Sequence, residues 1–449
     1  MIPNHYLKSH ITFSFLFSIS QHISRITQTV LSMATLEQQF EAAASAREIP
    51  GVVLVASDSN GSFKYGKAFG PATPDSQIEL DSTFTMASCT KLITSIAALR
   101  CVEQGQIGLD DDLSPILTEF KGIQILEGFE TGTDGKEVPI LKPAKNKITL
   151  RQLITHTSGI GYDTFTPELI KFRAVQGIDS TSTRVTDMLK SITVPLLFEP
   201  GTSWAYGYGL DWISVLITRL NNGQSLEDYF QAHIFGPLHI KDITFHRDRN
   251  PHVQEKFVKM SVRSSLTIAN PLLGLSDDCK QGGKVEWTDE IPYDIEQKDC
   301  FGGHGLAGSA SSYLKILTSI LRDDEVILKK STTAEMFKPQ LSAKAVHVMC
   351  TSLVCAFHSQ GFFSGHPPGR KLNWGLGGLL IEEDIEGSKR KGTLTWSGLP
   401  NLLWSIDREE GLACFYAGNI LPFGDPKSYK MQQIFETEMY KRFGEFKRS

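Results

Sequence analysis

Apolar and polar positions follow two rhythms along this chain. Near both ends, short apolar runs stand between turn residues; through the middle, apolar residues recur every three or four positions. Leu36 to Arg47 has helical spacing, and Gly51-Val-Val-Leu-Val-Ala56 is a continuous apolar run suited to a buried strand. Asp58-Ser-Asn-Gly61 supplies a hairpin turn, from which Ser62 to Phe69 returns as the partner strand. Leu92, Ile96 and Leu99 place a helix after Ser88, ending near Gly105 and the acidic run Asp110-Asp111-Asp112. Residues 121–147, rich in Gly, Lys and Glu, read as an exposed insertion, and Ile148 to Thr157 as a helix closing on Ser158-Gly159. Helices with loops then run to about residue 370, with an irregular stretch over 265–299 suited to a flap. Strand character returns over Gly377 to Glu383, Thr393 to Trp396, Leu402 to Ile406 and Leu412 to Ala417, before an amphipathic helix over Met431 to Phe443.

This order predicts an α+β fold: an antiparallel sheet built from both chain ends and flanked by helices, with a mostly helical lobe inserted. The expected sheet lobe spans 34–105 and 371–449, and the helical lobe 106–370. Residues 1–33 contain no Asp or Glu and several Ser, with a short apolar patch from Ile11 to Ile19. They are set apart as a leader or gene-model extension, with the working chain, 34–449, beginning near Met33.

Composition narrows the function classes. The 449 residues are 41% hydrophobic and 21% charged, ordinary for a globular protein. A formal net charge of -5 with no basic block gives no sign of nucleic acid. No apolar run is long enough to span a bilayer. The seven scattered cysteines read as reduced thiols, so a cytoplasmic location is expected, and the chain is expected to be a monomer. His347, Cys350, Cys355 and His358 match no zinc module and read as packed side chains, and the Gly303-x-Gly305-x-x-Gly308 pattern as a glycine-rich turn.

Candidate chemistry begins at Ser88-x-x-Lys91. A three-residue step on a helix puts the two side chains on one face, with Ser88 at the positive N-terminal end. A serine hydroxyl needs a neighbouring base, and a lysine becomes one when burial disfavours its ammonium. Alone, the pair is more often a capping serine beside a solvated lysine. Two later segments support it. In Phe198-Glu-Pro-Gly-Thr-Ser-Trp-Ala-Tyr206-Gly-Tyr208-Gly-Leu-Asp211, a Pro-Gly turn and aromatics lead into a helix, which can project a tyrosine able to relay a proton. In Leu394-Thr-Trp396-Ser397-Gly398-Leu399-Pro-Asn401, a strand ending in small residues lets its backbone approach a substrate and supply an oxyanion donor.

With these three segments in this order, the chain resembles the serine β-lactamase and penicillin-binding-protein superfamily, specifically its class C β-lactamase and esterase branch. Within that branch it is similar to the fungal lovastatin-type acyltransferases, from about residue 34 to the C-terminus. The resemblance implies a β-lactamase/transpeptidase-like fold, Ser88 as nucleophile and Lys91 with Tyr206 as general-base pair. It also implies an oxyanion hole from the Ser88 and Leu399 N–H groups, with substrate contacts around Trp396, Ser397, Gly398 and Tyr208. Two positions depart from the lactamase pattern. Tyr208 stands where an Asn is usual, and Trp396 where a cation is usual. An indole cannot pair with a substrate carboxylate, so the departures point to an uncharged, more apolar acyl group or acceptor. The implied reaction moves an acyl group from a thioester or ester, with an acyl-carrier domain of a polyketide synthase as one donor, to an alcohol of a secondary metabolite. No cofactor, metal or membrane is implied. The alternatives are a serine esterase for small apolar esters and a catalytically inactive binding relative.

Overall fold

The computed structural model describes residues 34–164, 166–178, 187–264, 283–289, 298–357 and 370–449, the side chains of 353–357 excepted. Residues 1–33, expected to be a leader or gene-model extension, most of the expected flap, and Cys355 and His358 of the histidine–cysteine set lie outside the described positions.

Helix α1 (Leu36–Ser45) starts at a capping box: Thr35 accepts from the Gln38 N–H, and the Gln38 side chain accepts from the Thr35 N–H. Strands β1 (Val52–Asp58) and β2 (Lys64–Phe69) form the expected hairpin. Helix α2 (Thr90–Glu103) follows the Ser88 turn. Residues 121–147 carry a second hairpin, β3 (Gln124–Thr131) with β4 (Glu137–Pro143), rather than only loop. Helices α3 (Gly209–Leu220) and α4 (Ala310–Arg322) lie in the middle of the chain. The C-terminal part adds β5 (Leu372–Trp374), β6 (Leu379–Ile381), β7 (Leu394–Gly398), β8 (Leu402–Asp407), β9 (Leu412–Ala417) and helix α5 (Pro426–Phe446). Helix α5 begins five residues before the expected Met431, because Asp425 caps it by accepting from the Ser428 N–H and Pro426 fits its first position.

One seven-stranded sheet runs β5-β6-β7-β8-β9-β1-β2, so strands from both ends of the chain meet where β9 pairs antiparallel with β1. Strand β1 is buried along its whole length, as a continuous apolar run requires. Alternation divides its side chains: Val53 and Val55 join the large core, while Val52, Leu54 and Ala56 pack with α1 and α5 residues such as Phe40 and Phe435. Short strands also occur in the helical middle. Ala307–Ser309 pairs with Thr83–Thr85 and with Ile243–Thr244, which anchors the chain immediately before Ser88. Among the described residues, no helix is long and apolar enough to cross a membrane.

Candidate active site

Ser88 occupies a tight turn, Ala87–Cys89, that opens α2. Ala87 adopts φ +45°, an uncommon conformation for a residue with a Cβ, held by complete burial and by the Met86 N–H donating to the Leu306 carbonyl. The Leu92, Ile96 and Leu99 spacing places a helix here, and α2 is enclosed nearly all round from Thr90 to Leu99. This enclosure makes Lys91 a buried lysine, 2% exposed, while Ser88 and Tyr206 stay partly open.

The structure brings Ser88, Lys91 and Tyr206 together. Lys91 Nζ lies 3.2 Å from Ser88 Oγ, and the Tyr206 hydroxyl donates to Ser88 Oγ at 2.9 Å. Lys91 has two further partners: the Tyr162 hydroxyl at 3.0 Å and the Gly303 carbonyl at 2.6 Å. Burial pushes the Lys91 ammonium well below the ordinary lysine range, opposed by the negative charge of Asp211. Burial pushes the Tyr206 phenol up, and its hydrogen bonds with Ser88 and Trp396 only partly offset that.

Rings hold Tyr206 in place. His156 stands 4.6 Å from it between centroids and Trp396 5.4 Å, while Trp374 backs Trp396 edge-on at 4.6 Å. Trp396 is 1% exposed and donates its indole N–H to the Tyr206 oxygen at 3.1 Å. It therefore stands behind the tyrosine instead of presenting an open apolar wall. Once Lys91 is neutral, every donor points one way: Trp396 N–H to Tyr206, Tyr206 O–H to Ser88, and the Ser88 hydroxyl to the free pair on Nζ.

The remaining expected residues are placed as follows. Strand β6 pairs with β7 only at Leu394 and Thr395, so no strand among the described residues covers that edge of Trp396–Gly398. At Gly398 a Cβ would lie 2.6 Å from the Met86 carbonyl, so only glycine lets this strand end abut the Ser88 turn. Leu399 follows, 8% exposed. Ser397 points by strand alternation to the sheet face opposite Trp396, where its buried Oγ has no hydrogen-bond partner among the described residues. Tyr208 was expected to face a substrate. It is instead buried, donates to Asp163 at 2.6 Å, and packs edge-on against Tyr162 at 4.4 Å; Asp163 is in turn paired with Arg173.

Sequence reasoning missed Tyr162, Asp211 and Gly303. Tyr162 closely follows the Thr155-His-Thr-Ser-Gly159 segment, and Asp211 ends the aromatic stretch around Tyr206. Gly303 belongs to the glycine pattern read as a turn. No group of three or more potential metal ligands occurs among the described residues.

Comparison with known proteins gives the family. The Beta-lactamase family matches residues 34–438. The ML-236A carboxylate methylbutanoyltransferase of Penicillium citrinum is 32% identical, over 91% of this chain and 94% of its own length. The lovastatin esterase of Penicillium rubens is 34% identical, over 92% of this chain and 99% of its own length. Simvastatin synthase from Aspergillus terreus superposes with a TM-score of 0.79 at 30% identity, covering 91% of this chain and 97% of that one. From its fold and from these matches, the chain belongs to the β-lactamase family.

Proposed function

We propose that this protein is a serine acyltransferase of secondary metabolism, moving a small apolar acyl group from a thioester or ester to an alcohol through a Ser88 acyl-enzyme. The observation behind this reading is that Ser88 Oγ stands within hydrogen-bond reach of both Lys91 Nζ and Tyr206 Oη, with Lys91 buried so that its base form is favoured. Ser88 Oγ attacks the acyl carbonyl, and its proton passes to Lys91. The oxyanion is held by the N–H groups of Ser88 and Leu399. Collapse expels the thiolate or alkoxide, which takes up a proton relayed through Tyr206. An incoming alcohol then gives its proton to Lys91 and attacks the acyl carbon, and the Ser88–acyl bond breaks as Lys91 returns that proton to Ser88 Oγ.

A small aliphatic acyl group is suggested by a relative named for methylbutanoyl transfer. The donor is presented as a thioester, free or on an acyl-carrier domain. Hydrolysis is the second reading, favoured by the relative named lovastatin esterase. The test compares release of thiol from a methylbutanoyl thioester with and without small alcohols, together with intact mass of the trapped protein. Transfer predicts a Ser88 adduct and ester product that rises with alcohol concentration. Fast release indifferent to alcohol supports the esterase, and absence of any Ser88 adduct removes the covalent mechanism.

A further inference from the structure

The segment that receives Lys91 is clamped from two sides. The Gly302 N–H donates to Ser214 Oγ at 2.8 Å, and its carbonyl accepts from Thr94 Oγ1 at 2.7 Å. The Gly303 N–H donates to Asp211 Oδ1 at 2.8 Å, and its carbonyl accepts from Lys91 Nζ at 2.6 Å. A Cβ on Gly303 would lie 2.5 Å from Asp211 Oδ2, so only glycine admits the carboxylate this closely. The glycine pattern in the sequence thus seats a lysine.

Asp211 lies in the first turn of α3 and is fully buried. An acid that merely capped this helix would satisfy its oxygens on the backbone N–H groups there or in water. Asp211 instead reaches across to another segment, and its Oδ2 has no hydrogen-bond partner among the described residues. A buried carboxylate oxygen left this way is costly unless a positive charge compensates it.

We propose that Asp211 is a positioning residue for Lys91, fixing the Gly303 carbonyl against Nζ and supplying the countercharge for the ammonium formed when Lys91 takes the Ser88 proton. This rests on Lys91 as proton acceptor in the proposed reaction. In that step the Ser88 O–H bond breaks and an Nζ–H bond forms, while the Oγ–acyl bond forms as the carbonyl π pair moves onto its oxygen, and Asp211 neither gains nor loses a proton. The other titratable groups around the pair stay neutral. His304, 3.7 Å from Asp211 Oδ1, is lowered to about 3 by burial, and His156 is lowered well below its ordinary value. Burial raises Cys89, Tyr206 and Tyr208, and Tyr162 meets Lys91 through its hydroxyl. The nearby Asp163 is ion-paired with Arg173. Burial raises the Asp211 carboxyl to about 6, opposed first by the Lys91 charge and then by the Gly303 N–H, so the two groups titrate as a linked pair and Asp211 is the acid left to balance Lys91.

The test is Asp211→Asn, which keeps an oxygen for the Gly303 N–H and removes the charge. Losing the charge disfavours the ammonium, so the acid limb of kcat/KM for thioester acylation moves to lower pH by about one unit or more. The rate on the plateau falls about tenfold or more, because a weaker base accepts the proton. Ser214→Ala, which loosens the same segment without touching the charge, leaves the limb in place. A stationary limb in a folded Asp211→Asn variant overturns the proposal. Should that variant fail to fold, infrared titration of the unaltered enzyme decides. Absence of a protonated buried carboxyl across the active pH range supports the role, and its persistence there refutes it. If the parent enzyme forms no Ser88 adduct, the reaction itself is misassigned; if it does and the limb stays put, only the role of Asp211 falls.

Discussion

Trp396→Phe separates two accounts of where charge develops. The substitution keeps an aromatic ring against Tyr206 and Trp374 and deletes the donor 3.1 Å from Tyr206 Oη. If the Ser88 proton ends on Lys91, Tyr206 is a neutral phenol while Oγ attacks, before any proton is relayed to the leaving group. The lost bond is then one between neutral partners, about 1 kcal/mol. At about 1.4 kcal/mol per tenfold, kcat for thioester acylation falls by at most about fivefold, because a bond between neutral partners is present in the ground state as well. If Tyr206 were instead the base, the indole would be stabilising a developing phenolate. Removing such a donor costs about 2.7–4 kcal/mol, or roughly 10²–10³ in rate. The smaller ring also leaves a void, lowering stability by about 1–3 kcal/mol. The assay is single-turnover acylation of Ser88 by a methylbutanoyl thioester in stopped flow, below the melting temperature of the variant. A fall of several hundredfold with the protein fully folded would refute Lys91 as the proton's destination.

Further expectations follow from the same geometry. The acid limb of kcat/KM lies well below the ordinary lysine value of about 10.4, because burial depresses Lys91 and only its neutral form accepts the Ser88 proton; activity is lost as pH falls through that limb, and a rate still climbing at about pH 10 would contradict this. Tyr162→Phe removes the partner 3.0 Å from Nζ, lowering kcat about tenfold with little change in melting temperature, as read by steady-state kinetics and calorimetry. Gly398→Ala forces a methyl group to 2.6 Å from the Met86 carbonyl, so labelling of Ser88 by a fluorophosphonate slows sharply. Asp425→Ala breaks a buried pair in which Arg263 donates at 2.6 and 2.7 Å, costing about 3–5 kcal/mol in denaturant unfolding while the active-site hydrogen bonds are untouched.

The parts legible in the sequence have strong local rules. Strand β1 announces itself by a continuous apolar run, and Ser88 and Lys91 by a spacing that a helix converts into proximity. The small residues ending β7 were read as letting its backbone approach a substrate, and the structure gives Gly398 a further reason, its close approach to the Met86 carbonyl beside the Ser88 turn. What stayed hidden depends on tertiary contact. Tyr162 sits in an aperiodic segment, and nothing local says that its hydroxyl will face Lys91. Asp211 carries the signature of an ordinary first-turn acid, and only the packing of Gly303 against it shows another use. Tyr208 misled because strand, turn and helix patterns do not tell which of two tyrosines, two residues apart, turns inward; its bond to Asp163 settles the direction. Trp396 was read from its chemistry as a surface for substrate, whereas its donor is spent on Tyr206.

The meeting of β1 with β9 has a bearing on how the protein comes off the ribosome. The hairpin of β1 and β2 is synthesised early, but its neighbour in the sheet is among the last segments to emerge. The turn that holds Ser88 rests on Gly398, which is also translated late. A nascent or prematurely terminated chain therefore owns the nucleophile and the lysine without the platform that aligns them. If Ser88 is the nucleophile, its alignment against β7 waits on the last quarter of the chain.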